Sequence, residues 1–207
     1  MANLIFEKKL LKQYTTIIGI DEAGRGPLAG PVVAAAVLLN SSCNFKGKNL
    51  KEIISLAKDS KKMTAKQREK VFEIILKQKT LKWGIGKASH LIIDRVNILN
   101  ATKLAMKKAV LNLKKDLRNT ILIIDGNQRI NIGCDQLAVV KGDQKIFLCS
   151  CASIIAKVYR DKLMERLDKK YPVYGFKKHK GYPTKKHYAS IKKNGLSPVH
   201  RKSFNCG

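Results

Sequence analysis

Apolar residues in this chain fall into two rhythms, short continuous runs and steps of three or four, and their order predicts strands interleaved with helices. Residues 15–20 form a β-branched run that stops at two adjacent carboxylates, Asp21-Glu22, followed at once by Ala23-Gly24-Arg25-Gly26-Pro27. Residues 32–39 are continuously apolar after a Gly/Pro turn, so the two runs predict a hairpin. A loop rich in Ser, Asn, Gly and Lys runs to about residue 51, and the basic cluster Lys58-Asp59-Ser60-Lys61-Lys62 precedes a helix. Thr64 and Gln67 have the spacing of a capping box, and Val71, Phe72, Ile75 and Leu76 form one apolar face. Trp83 and Ile85 alternate with small or charged residues, which predicts a third strand over 82–87.

The steps Met106, Val110, Leu113 and Leu117 predict a helix from about residue 101 to 117, ended by Asn119-Thr120. Ile121-Leu122-Ile123-Ile124 reads as a strand covered on both faces, ending at Asp125-Gly126. Leu137-Ala138-Val139-Val140 reads as a fifth, ending at Lys141-Gly142-Asp143. A long helix is predicted over about 150–170, with Ile155, Tyr159, Leu163 and Leu167 at steps of four, and Pro172 stops it. Thr184 can cap a short helix ending near Gly195.

A chain of 207 residues suits one domain of ordinary size with a substantial core. Charge sharpens the picture, because 42 Lys and Arg against 15 Asp and Glu leave a net +27 and favour a polyanionic partner through counterion release. Beyond Asp168 there is no acidic residue, while Lys177-Lys178-His179-Lys180-Gly181-Tyr182-Pro183-Thr184 interleaves cations with an aromatic, as suits a nucleic-acid backbone and sugar. Five cysteines without zinc spacing are expected to be reduced thiols in a cytoplasmic protein. Glu7, Lys8, Lys9 and Lys12 interrupt the N-terminal apolar residues, and the run 32–39 is too short to span a bilayer, so no membrane association is expected.

Against that basic background the acids stand out. Asp21, Glu22, Asp125 and Asp143 each lie at the edge of an apolar run. If the strands are neighbours, the acids approach to about 4.8 Å, the spacing of paired strands. Such a cluster repels itself without a cation, and hard oxygen donors favour Mg²⁺ or Mn²⁺ over zinc. Two such ions about 3.5 to 4 Å apart can activate water and stabilise the leaving oxygen in phosphodiester hydrolysis. Taken singly, each acid could instead be a turn or capping residue. Gly24, Gly26 and Gly30 do not have dinucleotide-binding spacing, and there is no Walker A pattern. Ser60 and Ser153 lack a nucleophile setting, and His90, His179, His187 and His200 are too scattered for a triad, with surface or phosphate-facing roles expected.

The same residues carry a resemblance. Ile20-Asp21-Glu22-Ala23-Gly24-Arg25-Gly26-Pro27-Leu28, Asp59-Ser60-Lys61-Lys62, Asn97-Ile98-Leu99-Asn100-Ala101-Thr102, Ile124-Asp125-Gly126-Asn127, Val140-Lys141-Gly142-Asp143, the segment 152–161 and His179-Lys180-Gly181-Tyr182-Pro183-Thr184 resemble bacterial ribonuclease HII, in order, over nearly the whole chain. The resemblance implies an α/β, ribonuclease H-like fold: a central mixed sheet flanked by helices, with residues 1–170 as catalytic domain and 171–207 as a basic C-terminal helical extension of it. It implies a monomeric endonuclease that cuts the RNA strand of RNA–DNA hybrids and the 5′ side of single ribonucleotides in duplex DNA, leaving 5′-phosphate and 3′-hydroxyl ends. Asp21, Glu22, Asp125 and Asp143 would then be the catalytic acids that bind Mg²⁺ or Mn²⁺. Gly24, Arg25 and Gly26 would contact the 2′-hydroxyl through their main chain, and Tyr182 would pack on the neighbouring deoxyribose. Lys58, Ile92, Cys149 and Cys151 depart from the family's usual residues, and none of these departures touches the four acids. The competing readings are ribonuclease HIII, which usually carries an extra N-terminal domain, and a basic nucleic-acid-binding protein without catalysis.

Overall fold

The structure is a computed structural model and describes residues 4–41, 52–55 and 63–207. In chain order the elements used below are α1 (Ile5–Leu10), β1 (Thr16–Ala23), β2 (Val32–Asn40), α2 (Ala65–Lys77), β3 (Lys82–Ala88), α3 (His90–Leu111), β4 (Thr120–Asp125), β5 (Asp135–Val139), α4 (Gly142–Lys145), α5 (Phe147–Lys170), α6 (Phe176–His179) and α7 (Lys185–Asn194), with a 3₁₀ turn at Pro172–Tyr174. The strands make one sheet in the order β3-β2-β1-β4-β5. β2 is antiparallel to both β1 and β3, whereas β4 is parallel to β1 and to β5. The predicted hairpin and the predicted mixed sheet are both present.

Strand alternation sends side chains to two cores. Ile17, Val37, Leu39 and Ile123 face α5 and α2, while Ile18, Ile20, Leu38 and Ile124 face α3. Each fully buried aliphatic contributes about 1.5–3 kcal/mol relative to exposure, so this three-layer arrangement fixes the strand register. α5 lies hard against β1: a Cβ at Gly19 would stand 2.5 Å from the Leu148 main chain. Its N-terminus lacks a local side-chain cap, and Glu7 of α1 supplies one by accepting from the Leu148 N–H at 3.0 Å.

Helix boundaries differ from the sequence pattern in physical ways. α3 begins at His90, earlier than 101, and is broken at Asn97, whose φ of 64° and side-chain bond to the Asn100 N–H start a second helical segment. It ends at Leu111, well before Asn119, because Asn112 turns its amide to the Ile85 carbonyl. On β3 the small face is the buried one: Gly84 and Gly86 let α3 approach, while Trp83 is largely exposed. The capping box at Thr64 and the capped helix from Thr184 to Gly195 form as expected. The basic cluster at 58–62 and the loop before it lie outside the described residues.

Candidate active site

Parallel pairing of β1 with β4 aligns Ile20 with Ile124, so the next residues, Asp21 and Asp125, leave adjacent strands together on the face toward α5. Asp21 is buried, accepts from the Glu22 N–H at 2.6 Å, and takes a further bond from the Ser153 hydroxyl of α5. Asp125 accepts from the Gly142 N–H at 2.7 Å. That bond draws the loop after β5 to the end of β4, and Asp143, the next residue of that loop, is also buried. Glu22 keeps its carboxylate 3.4 Å from Arg25.

Electrostatics mark this corner as under tension. Burial pushes the Asp21 carboxyl well above its ordinary value, and the charges of Glu22 and Asp125 push it further. Glu22 is raised by burial and by Asp125, with Arg25 pulling the other way. Among the described residues, no three His, Cys, Asp or Glu side chains already stand as a metal-holding group. The donor set nevertheless suits a hard divalent cation: all the donors are carboxylate oxygens, and their mutual repulsion is what a cation would relieve.

Beside the acids lies a cleft of about 410 Å³, bordered by Glu22, Gly24, Arg25, Gly26, Lys157 and Tyr182. The Tyr182 ring faces the loop, its edge 3.7 Å from where a Gly26 Cβ would stand, and the side chain is substantially exposed. Gly24 has a φ of +96°, and a Cβ there would collide with the Arg160 guanidinium, so only glycine fits. The acids, the glycine loop and Tyr182, scattered in sequence, are thus brought to one end of the sheet.

Three groups of supporting residues escape the sequence reading. Arg160 donates to the carbonyls of Pro31, Ala29 and Lys180, and Arg201 donates to those of Gly30, Arg25 and Gly24. Both are buried. Arg160 occupies the buried stripe Ala152, Ala156, Arg160, Met164 at steps of four, a signal that an apolar tally passes over. The expectation that the histidines face solvent or phosphate is overturned for His187 and His200, which are buried. His200 Nδ1 accepts from the Ser197 N–H at 2.8 Å, so its proton sits on Nε2 and is donated to His187 Nε2 at 3.0 Å. His187 then donates from Nδ1 to the Tyr182 carbonyl at 3.0 Å. His179 holds the preceding residue, accepting from the Gly181 N–H at 3.2 Å.

Solved structures similar to this one include the ribonuclease H2 of Pyrococcus horikoshii, with a TM-score of 0.70 and 27% identity over 92% of this chain and 94% of that one. The Archaeoglobus fulgidus ribonuclease HII, solved in a complex with PCNA, aligns with a TM-score of 0.73 and 28% identity over 91% and 95% of the two chains. The fold and its buried acids therefore define a nuclease of the ribonuclease H-like class. Within that class, the family model described as ribonuclease HII matches residues 18–206. Ribonuclease HII of Acetivibrio thermocellus is 51% identical over 97% of this chain and 74% of its own length, and that of Caldicellulosiruptor bescii is 47% identical over 96% and 91%. The chain belongs to the ribonuclease HII family and is a type 2 ribonuclease H, a hydrolase acting on RNA in RNA–DNA hybrids.

Proposed function

We propose that this protein cuts the RNA strand of RNA–DNA hybrids and the 5′ side of single ribonucleotides embedded in duplex DNA, leaving 5′-phosphate and 3′-hydroxyl ends. The observation that carries the reading is the junction of the Asp21 corner with the cleft between the Gly24–Gly26 loop and Tyr182. A scissile phosphate at the acids then lies next to the sugar that the loop inspects.

Asp21, Glu22, Asp125 and Asp143 are the residues that would hold Mg²⁺ or Mn²⁺. The chemistry such cations supply when bound is Lewis acidity toward phosphoryl oxygens and acidification of water, shared between two ions in in-line phosphodiester hydrolysis. The chain's own part is to keep the acids desolvated and fixed: Ser153 and the Glu22 N–H orient Asp21, and the Gly142 N–H orients Asp125. Main-chain groups of Gly24, Arg25 and Gly26 contact the ribose 2′-hydroxyl, the group that separates RNA from DNA. Tyr182 packs on the adjoining deoxyribose. Residues 171–207 act as a basic extension of the 1–170 catalytic domain, and the protein works as a cytoplasmic monomer.

The test is cleavage of an end-labelled DNA duplex with one ribonucleotide, in Mg²⁺, Mn²⁺ or EDTA, beside an all-DNA control. A single metal-dependent cut 5′ to the ribonucleotide is expected, and Asp21→Asn should lower its rate by at least ~100-fold, more than the loss of an outer-shell group at a metal site. Tight binding with no cut in either metal would reject the reading.

A further inference from the structure

Arg201 is a buried cation whose guanidinium donates to three main-chain carbonyls. Its Nη2 donates to Gly24 at 2.6 Å, its Nη1 to Arg25 at 2.8 Å and its Nε to Gly30 at 3.0 Å. Among the described residues it makes no ion pair with a carboxylate. The guanidinium is itself fixed: the Arg201 N–H donates to the Leu28 carbonyl at 2.8 Å, and the Phe204 ring lies 5.0 Å away. Burying an arginine without a directly paired acid is expensive even with the Asp94 charge nearby, so the arrangement calls for a reason beyond packing. Burial and the nearby Arg160 draw its value down to about 9, which leaves it charged at neutral pH.

Peptide geometry supplies the reason. The chain has no cis peptide bond, and in a trans peptide the C=O and the following N–H point in opposite directions. With the Gly24 carbonyl pulled inward, the Arg25 N–H is turned outward. With the Arg25 carbonyl pulled inward, the Gly26 N–H is turned outward in the same way. Outward is the cleft, which Gly24, Arg25, Gly26 and Tyr182 border. Among the described residues neither N–H has a hydrogen-bond partner within the chain. One planar fork thus sets two successive peptides, which the single ammonium of a lysine cannot do.

We propose that Arg201 is a specificity-determining positioning residue: by pinning the Gly24 and Arg25 carbonyls it presents the Arg25 and Gly26 N–H groups to the 2′-hydroxyl of the substrate. The proposal rests on the reading that this loop inspects the sugar. Arg201 touches no substrate; it acts through the loop. Its effect therefore belongs to the comparison of ribose with deoxyribose, and the electrostatic affinity for phosphates is left in place.

The experiment measures the affinity of two otherwise identical fluorescent duplexes, one all-DNA and one with a single ribonucleotide, in EDTA so that no cut intervenes. Wild type should prefer the ribonucleotide duplex by about tenfold, a preference of the size one or two neutral hydrogen bonds provide. Arg201→Lys should bring the ratio to within about twofold of unity, with all-DNA binding changed by less than about twofold, since the charge is kept. Phe204→Leu, which leaves the guanidinium's bonds available and removes only the ring, should give an intermediate ratio, and it carries the test if Arg201→Lys does not fold. An unchanged ratio in the variants, or a parallel loss of both affinities, overturns the proposal while the sugar-reading loop stands. A ratio of one in the wild type overturns the loop reading, and this proposal with it.

Discussion

Glu7 illustrates how a single charge can change meaning with its surroundings. In sequence it is one of the charges that interrupt the N-terminal apolar residues; in the fold it is buried at the N-terminus of α5 and holds the Leu148 N–H. Burial raises its carboxyl from 4.5 to about 7, against the lowering effect of the helix N–H groups. The folded state therefore binds this proton more tightly than the unfolded chain does. That contribution to stability is fully present below pH 4.5 and is lost as the pH rises through 7. Glu7→Gln keeps the acceptor and removes the titration. It should raise the melting temperature at pH 8, by up to roughly 3 kcal/mol in stability, with the gain shrinking toward pH 4.5. Thermal melts of both proteins across that range check this, and a gain independent of pH would contradict it.

At the scale of elements, the strands were legible and the helix joints were not. Continuous apolar runs such as Ile121-Leu122-Ile123-Ile124 can hardly be anything but a doubly covered strand, and the acids at their ends follow from their position. The limits of α3 depend on a tertiary bond, Asn112 to the Ile85 carbonyl, which no local pattern records. β3 likewise buries its glycines because α3 presses on them, reversing what its aromatic residue suggests. Of the candidate site, the four acids and the glycine loop were legible as candidates because each acid lies at the edge of an apolar run in a very basic chain, and the glycines directly follow the first pair. The arginines and histidines behind the loop were not, since a buried polar residue among apolar ones carries no mark until its partner is known. The histidine relay under Tyr182 is the clearest such case. His187 is lowered from 6.5 to about 4, chiefly by burial, and His179 and His200 add to the effect. The unfolded chain takes up this proton first, so the relay's contribution is intact above pH 6.5 and is lost as the pH falls toward 4. His187→Asn retains a donor near the Nδ1 position for the Tyr182 carbonyl and does not titrate. Its melting temperature should fall less than the wild type's between pH 7 and pH 4.5; parallel acid profiles would show that the relay is not what titrates.

For the whole molecule, a net charge of +27 sets the affinity and the fold sets where it is used. Lys185, Lys186, Lys192 and Lys193 ride on α7, next to the turn that presents Tyr182. Replacing all four by alanine should make the dependence of log affinity on log salt shallower by about 2 or more, if at least half of them neutralise a phosphate at ~0.9 each. Titrations of the all-DNA duplex from low to physiological salt measure the slope, and an unchanged slope would remove α7 from the binding face. The molecule also has an order in time. The bond between Arg201 and the Gly24 carbonyl joins residues 177 positions apart, and a ribosome delivers the earlier partner first. Asp21, Glu22, Asp125 and Asp143 all emerge before Arg201, which pins the Gly24 and Arg25 carbonyls. If the loop reads the sugar as proposed, a nascent chain acquires its acids before it acquires its discrimination, and docking of the late segment is the step that would make the newborn nuclease selective.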